Sequence, residues 1–161
     1  MTPAHALASD VLERAKARGV MVALAESCTG GLVSAALTEI AGSSAVVDRG
    51  FVTYTNDAKQ DLLGVKAATL DAHGAVSAQT AWEMADGALA RSQAGVAVSI
   101  TGVAGPGGGT AEKPVGLVWF ALAQTGRDTR TIERRFGEVG RAKVRALSVE
   151  TALTLLRDAL G

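Results

Sequence analysis

Residues 25–31 read AESCTGG. Two small nucleophiles, Ser27 and Cys28, stand beside an acid, Glu26, and run into Thr29, Gly30 and Gly31. A serine hydroxyl is a weak nucleophile until a neighbouring base takes its proton. Histidine is the usual base, and the chain offers only His5, in an exposed first helix, and His73, just before Gly74 at a helix end. A serine, histidine, aspartate triad is therefore not expected. Lysine is the other candidate. Lys59 falls in the first turn of a short predicted helix, NDAKQDLLG, capped by Asn56, where the helix dipole disfavours an ammonium. That field is worth only about 1 kcal/mol, against the roughly 4 to 5 kcal/mol needed to bring a lysine near neutrality, so burial has to supply most of the shift. Tyr54, five residues earlier, is placed to pass a proton between serine and lysine or to bind developing charge.

Ser27 is the preferred nucleophile, because amides at the start of the following helix could hold an oxyanion, each such donor contributing roughly 2.7 to 4 kcal/mol. Cys28 is its rival, although a lone small cysteine is more often buried packing. Thr29 reads as the helix cap, and Glu26 either holds a substrate hydroxyl or orients the turn. A second glycine-rich stretch, TGVAGPGGG at 101–109, offers backbone amides to a phosphate or a ribose. It is not a Walker loop, since no lysine followed by serine or threonine closes it, and not the Rossmann fingerprint, which lies at the first strand. Arg141 either contacts an anionic group or is an exposed first-turn arginine.

These residues need a scaffold. Leu7, Val11 and Ala15 recur every four residues and mark a first helix ended by Gly19. VMVALA suits a buried strand, and Leu32, Val33, Ala36, Leu37 and Ile40 predict a second helix closing at Gly42. VVDRGFVTYT at 46–55 reads as a strand. Ser77 caps a helix with Ala81, Ala85 and Ala88 on one face, and Trp82 and Trp119 read as core. AGVAVSIT is a buried strand leading into the glycine-rich loop, which must be a loop because consecutive glycines disfavour helix and pack nothing in a strand. LVWFALA and TRTIERRF follow as strands, the second alternating as an edge strand should. The last helix carries Ala142, Ala146, Val149, Leu153, Leu156 and Leu160 on a core stripe. The pattern predicts an α/β fold, a three-layer α/β/α sandwich with a mixed, mainly parallel sheet containing one antiparallel member. AESCTGG, VTYTNDAK and ITGVAGPGGG each follow a predicted strand, so parallel strands would gather them on one rim, where ligands collect.

Composition narrows the function. With 161 residues, 48% apolar and 20% charged, the chain is read as one globular domain, 1–161. Sixteen basic residues balance sixteen acidic ones, so no positive field gathers nucleic acid or an anionic membrane. No stretch approaches the ~20 apolar residues of a membrane span, and a soluble cytoplasmic protein is expected. The single cysteine has no second cysteine or nearby histidine to complete a zinc site, so neither a metal nor another cofactor is expected.

AESCTGG, AGSSAVVDRGFVTYTNDAKQDLLGV, HGAVS, SITGVAGPGGGTAEKPVGLVWFA and GRAKVRALSVETAL together resemble the CinA C-terminal domain family, the nicotinamide-nucleotide amidohydrolases. The resemblance runs in order through nearly the whole chain. It implies hydrolysis of the carboxamide of nicotinamide mononucleotide to the nicotinate form and ammonia, on an α/β/α sandwich whose members commonly form homo-oligomers. By the same resemblance Ser27, Tyr54 and Lys59 fall on catalytic positions, and Ser44 and Thr101, with the loop through Gly102 to Gly105, on positions lining the substrate site. Gly140 stands where many members carry an acid before Arg141. By the resemblance, the nucleotide-binding region that precedes this domain in longer members is expected to be absent here. Two other classes are weighed: a non-catalytic nucleotide-binding module using the same loops, and an interaction domain tied to DNA uptake or repair. Balanced charge speaks against direct DNA contact.

Overall fold

Large and small side chains alternate along the three central strands, and this alternation sets the layers of the computed structural model, which describes residues 2–161. In β1 (Val22–Glu26) Val22 and Leu24 face one side while Ala23 and Ala25 face the other. In β3 (Val96–Gly102) Val96, Val98 and Ile100 oppose Ala97, and in β4 (Leu117–Gln124) Val118, Phe120 and Leu122 oppose Ala121 and Ala123. The bulky face is covered by α1 (Pro3–Arg18), α2 (Leu32–Thr38) and α6 (Arg141–Ala159). The alanine face takes α3 (Asn56–Leu63), α4 (Ala67–His73) and α5 (Ala78–Ala90), and Ala81, Met84, Ala85 and Ala88 of α5 pack on it. Full burial of one Leu, Val or Phe side chain is worth about 1.5 to 3 kcal/mol, so the bulky face dominates stability.

The strand order is β2-β1-β3-β4-β5, with β2 at Val47–Val52 and β5 at Arg130–Arg135. β1 pairs in parallel with both β2 and β3, and β4 pairs antiparallel with β3 and β5. One strand, β4, thus runs against the other four. β5 is the predicted edge strand. Because β4 reverses, the ends of β1, β2, β3 and β5 and the start of β4 share one rim. From that rim α6 returns along the bulky face and finishes beside the end of α1, where Arg18 Nη1 donates to the Ala159 carbonyl at 3.1 Å.

Several sequence expectations shift. The second helix stops at Thr38 and a short 3₁₀ turn, Ser43–Ala45, follows. Thr55, not Asn56, caps α3 by accepting from the Ala58 amide, whereas Ser77 caps α5 as expected. Trp82 is 42% exposed, outside the core, while Trp119 is partly buried against the alanine face. On α6, Ala142 and Ala146 are exposed, and Val144, Ser148, Ala152 and Leu155 join Val149, Leu153 and Leu156 in the buried arc. Alanine favours any helix face, so its spacing does not mark the core. Ser148 is tolerated there because its hydroxyl donates to the Val144 carbonyl at 2.7 Å.

One glycine fixes where α3 lies. A Cβ at Gly87 of α5 would sit 2.0 Å from the Leu63 carbonyl oxygen, a main-chain atom that cannot swing aside. Gly87→Ala should destabilise the fold by about 1 to 3 kcal/mol, read as a lower urea midpoint with unchanged slope, and should lower any activity that depends on α3.

Candidate active site

Backbone ties hold the rim together before any side chain acts. The Ser27 amide donates to the Ile100 carbonyl at 3.0 Å and the Thr53 amide to the Glu26 carbonyl at 2.8 Å, so the ends of β1, β2 and β3 stay adjacent. Glu26 is fully buried. Its carboxylate accepts from the amides of Gly31 (3.2 Å), Val33 (2.9 Å) and Ser34 (2.9 Å) and from the Ser34 hydroxyl (2.7 Å). A carboxylate in the last position of a strand therefore satisfies the open amides of α2. Of the two roles weighed for Glu26, orienting the turn is the one the structure shows, and no lone pair is left for a substrate hydroxyl. Thr29 is not the cap: it is buried, and its hydroxyl has no partner among the described residues.

The turn leaves Ser27 beside a buried amine. Lys59, only 1% exposed, places Nζ 3.0 Å from Ser27 Oγ, 2.9 Å from the Thr53 carbonyl and 3.3 Å from the Tyr54 carbonyl. Burial lowers its pKa from 10.5 to about 8, with the nearby Cys28 opposing the shift. In the neutral amine two hydrogens serve the two carbonyls and the lone pair is left for the Ser27 hydroxyl proton. That is the geometry of a serine and its general base. Cys28 lines the same cleft, but burial pushes its thiol up to about 11, which leaves it a poor nucleophile near neutrality.

Tyr54 takes a different place from the expected relay. Its side chain is 58% exposed and its hydroxyl accepts from Arg141 Nη2 at 2.9 Å, while Lys59 reaches Ser27 directly. Arg141 also donates through Nη1 to the Gly105 carbonyl at 2.9 Å, which binds the start of α6 to the glycine-rich loop. Gly140 caps α6 at φ +97° without a side-chain hydrogen bond. Arg141 is thus anchored from outside its own helix.

A cleft of about 290 Å³ opens here, lined by Ser27, Lys59, Tyr54, Thr101, Gly105 and Arg141 among others. This is near the lower end for small-molecule sites. Its lining holds two basic side chains and no acidic one, which suits an anionic ligand. The Thr101 hydroxyl donates to the Ala75 carbonyl at 2.9 Å and fixes the cleft wall, and Gly102 lines it. The amides of Ala104, Gly105, Gly107 and Gly108 donate to no main-chain acceptor among the described residues, as a phosphate cradle requires.

Three sequence expectations separate from the cleft. Ser44 is exposed in the turn before β2, at the opposite end of the sheet, so within one chain it does not line the site. Gly30 and Gly31 do not line it either: their amides are used by the Ser27 carbonyl and the Glu26 carboxylate, and their positive φ angles shape the turn. Beside Ser27, the amides of Cys28 and Thr29 donate to no other residue among the described residues, and of the two only Cys28 lines the cleft, one turn earlier than the helix start. Sequence reasoning also missed Asn56 and Val76 as residues that line the cleft.

A family model described as CinA C-terminal domain matches residues 4–160. The chain is 52% identical over 154 residues to Nicotinamide-nucleotide amidohydrolase PncC of Enterobacter agglomerans, covering 92% of this chain and 93% of that protein. It is 51% identical over 150 residues to the protein of the same name from Escherichia coli strain K12, covering 93% and 90%. Among solved structures it is similar to competence/damage inducible protein CihA from Agrobacterium tumefaciens, with a TM-score of 0.96, 56% identity, and coverage of 99% of this chain and 96% of that one.

Proposed function

Since the chain belongs to the CinA C-terminal domain family, we propose that it is a nicotinamide-nucleotide amidohydrolase that converts nicotinamide mononucleotide to nicotinate mononucleotide and ammonia. The observation that carries the reading is the 3.0 Å contact between a buried lysine amine and Ser27 Oγ at the floor of a basic cleft, in a chain whose relatives bear that name.

In the proposed mechanism neutral Lys59 takes the Ser27 proton as Oγ bonds to the carboxamide carbon. The developing oxyanion meets the Cys28 amide of the turn. Lys59 then returns its proton to the departing nitrogen, the carbon–nitrogen bond breaks, and ammonia leaves an ester on Ser27. Water loses a proton to Lys59 and attacks that ester; the proton goes to Ser27 as its bond to carbon breaks, and nicotinate mononucleotide is released. Arg141 and the amides of Ala104, Gly105, Gly107 and Gly108 hold the phosphate and ribose. Tyr54, tied to Arg141, assists by holding that arginine over the cleft. The sequence holds all the groups these steps use, so no cofactor is invoked. Self-association is part of the proposal and is read by light scattering.

The test is ammonia release from nicotinamide mononucleotide by purified protein. Stoichiometric ammonia and the nicotinate nucleotide are expected, whereas saturable binding with no ammonia would assign the same loops to a non-catalytic nucleotide-binding module.

A further inference from the structure

The cleft sets a charge problem for the ligand proposed above. A nicotinamide nucleotide carries a negative phosphate, which suits Arg141, but its pyridine ring carries a positive charge, and that ring is bonded directly to the carbon Ser27 attacks. A cation leaving water needs a partner. Among the described residues, the lining of the cleft holds the basic Lys59 and Arg141 and no acidic side chain. Glu26 precedes Ser27 in sequence, but it is fully buried and its carboxylate already accepts four hydrogen bonds from the turn and α2. No carboxylate is therefore at hand to meet the ring.

Tyr54 is the one aromatic side chain of that lining. The face of a phenol ring is the negative end of its quadrupole and attracts a cation within about 6 Å of the ring centre. Both ends of the residue are held. Its main-chain carbonyl accepts from Lys59 Nζ at 3.3 Å, its hydroxyl accepts from Arg141 Nη2 at 2.9 Å, and Arg141 Nη1 reaches on to the Gly105 carbonyl at 2.9 Å. The side chain thus runs between the amine beside Ser27 and the arginine assigned to the phosphate, the same interval that the ring and ribose of the ligand have to cover. It is 58% exposed, so a face is open to a ligand, and the fixed hydroxyl leaves little rotamer freedom to lose on docking.

We propose that Tyr54 is a specificity-determining residue: its ring face stacks on the pyridinium of the substrate and selects a cationic ring carboxamide over a neutral one of the same shape. The hydroxyl, committed to Arg141, sets the tilt of that face. This inference rests on the amidohydrolase reading for the identity of the ligand, but it concerns recognition of charge and is read by binding alone.

The test compares nicotinamide mononucleotide with benzamide mononucleotide, which keeps the carboxamide, ribose and phosphate but has carbon in place of the charged ring nitrogen. Calorimetric titration at pH 7 in a Ser27→Ala background removes turnover. That protein should bind the cationic nucleotide about tenfold more tightly than the neutral one. Adding Tyr54→Leu should bring the ratio to about one or below, because Lys59 and Arg141 still oppose the cation. Tyr54→Phe, which keeps the face and drops the hydroxyl, should hold the ratio within about twofold even where the loosened Arg141 weakens both ligands. A residue that merely shaped the cleft or held Arg141 would shift both affinities together and leave the ratio alone. An unchanged ratio in Tyr54→Leu would overturn the proposal, as would a ratio near one with Tyr54 present. So would Tyr54→Leu, with Ser27 intact, losing kcat at an unchanged ratio, since that is the mark of a proton relay. A Tyr54-dependent preference in a protein that releases no ammonia would sustain the proposal and sink the amidohydrolase reading alone, and failure to bind either nucleotide would sink both.

Discussion

Ser27→Ala should reduce ammonia release by at least about 10⁴-fold while nicotinamide mononucleotide still binds within about threefold of the wild-type affinity. The size follows from removing the atom that forms the covalent bond, since members of a nucleophile and base pair fail together and not in proportion. Binding survives because the contacts assigned to phosphate and ribose come from Arg141 and the loop around Gly105, on elements that Ser27 does not support. Calorimetric titration and an ammonia assay on the same preparation measure both quantities. Cys28→Ser should remain active, because its thiol, held near 11 by burial, supplies neither thiolate nor base. Turnover by Ser27→Ala together with a dead Cys28→Ser would transfer the nucleophile to its neighbour.

Lys59→Met should be inactive to a similar degree and, unlike most core substitutions, more stable than the wild type. The stability argument has a definite sign. Folding lowers the pKa of Lys59 from 10.5 to about 8, so between those values the unfolded chain holds more protons than the folded one and stability rises with pH. Below about 8 both states are protonated, and the full cost of burying the ammonium, on the order of 3 kcal/mol, bears on the fold. Methionine removes that cost at neutral pH but leaves the Thr53 and Tyr54 carbonyls without their donor, at about 1 kcal/mol each. A net gain of about 1 kcal/mol remains, a rise in Tm of about 2 to 4 °C. The wild type should gain stability between pH 8 and 10.5 and the variant should not. Activity of the wild type should climb as Lys59 loses its proton: roughly one molecule in ten is competent at pH 7, and the profile levels off above about 8. A Tm lowered by several degrees, or a pH profile flat between 6 and 9, contradicts the buried-amine account.

Much of the scaffold was legible because it rests on periodicity. The central strands show as apolar runs, and the antiparallel β4 as a strand with no helix before it. The site was legible in its types: a serine after a strand, a lysine in the first turn of a helix, and glycines after a third strand. What could not be read was which atoms are already occupied. Glu26 and Gly31 look like site residues from their neighbours in the chain, yet they satisfy each other across the turn. Tyr54 sits at relay distance in sequence, but its hydroxyl is claimed by Arg141, 87 positions away. Ser44 precedes a strand whose direction puts it at the far end of the sheet. Alanine spacing on α6 and the exposure of Trp82 failed for the same reason, since neither side chain states by its type alone which neighbour will cover it.

The reversal of β4 has a practical corollary. All the reactive groups lie at one end of the molecule, and α6 carries the chain away from them to Gly161, beside the last turn of α1. A tether at Gly161 leaves the mouth of the cleft facing solution. Immobilisation on beads, or fusion to a second enzyme that consumes the product, should therefore be built at that carboxyl end.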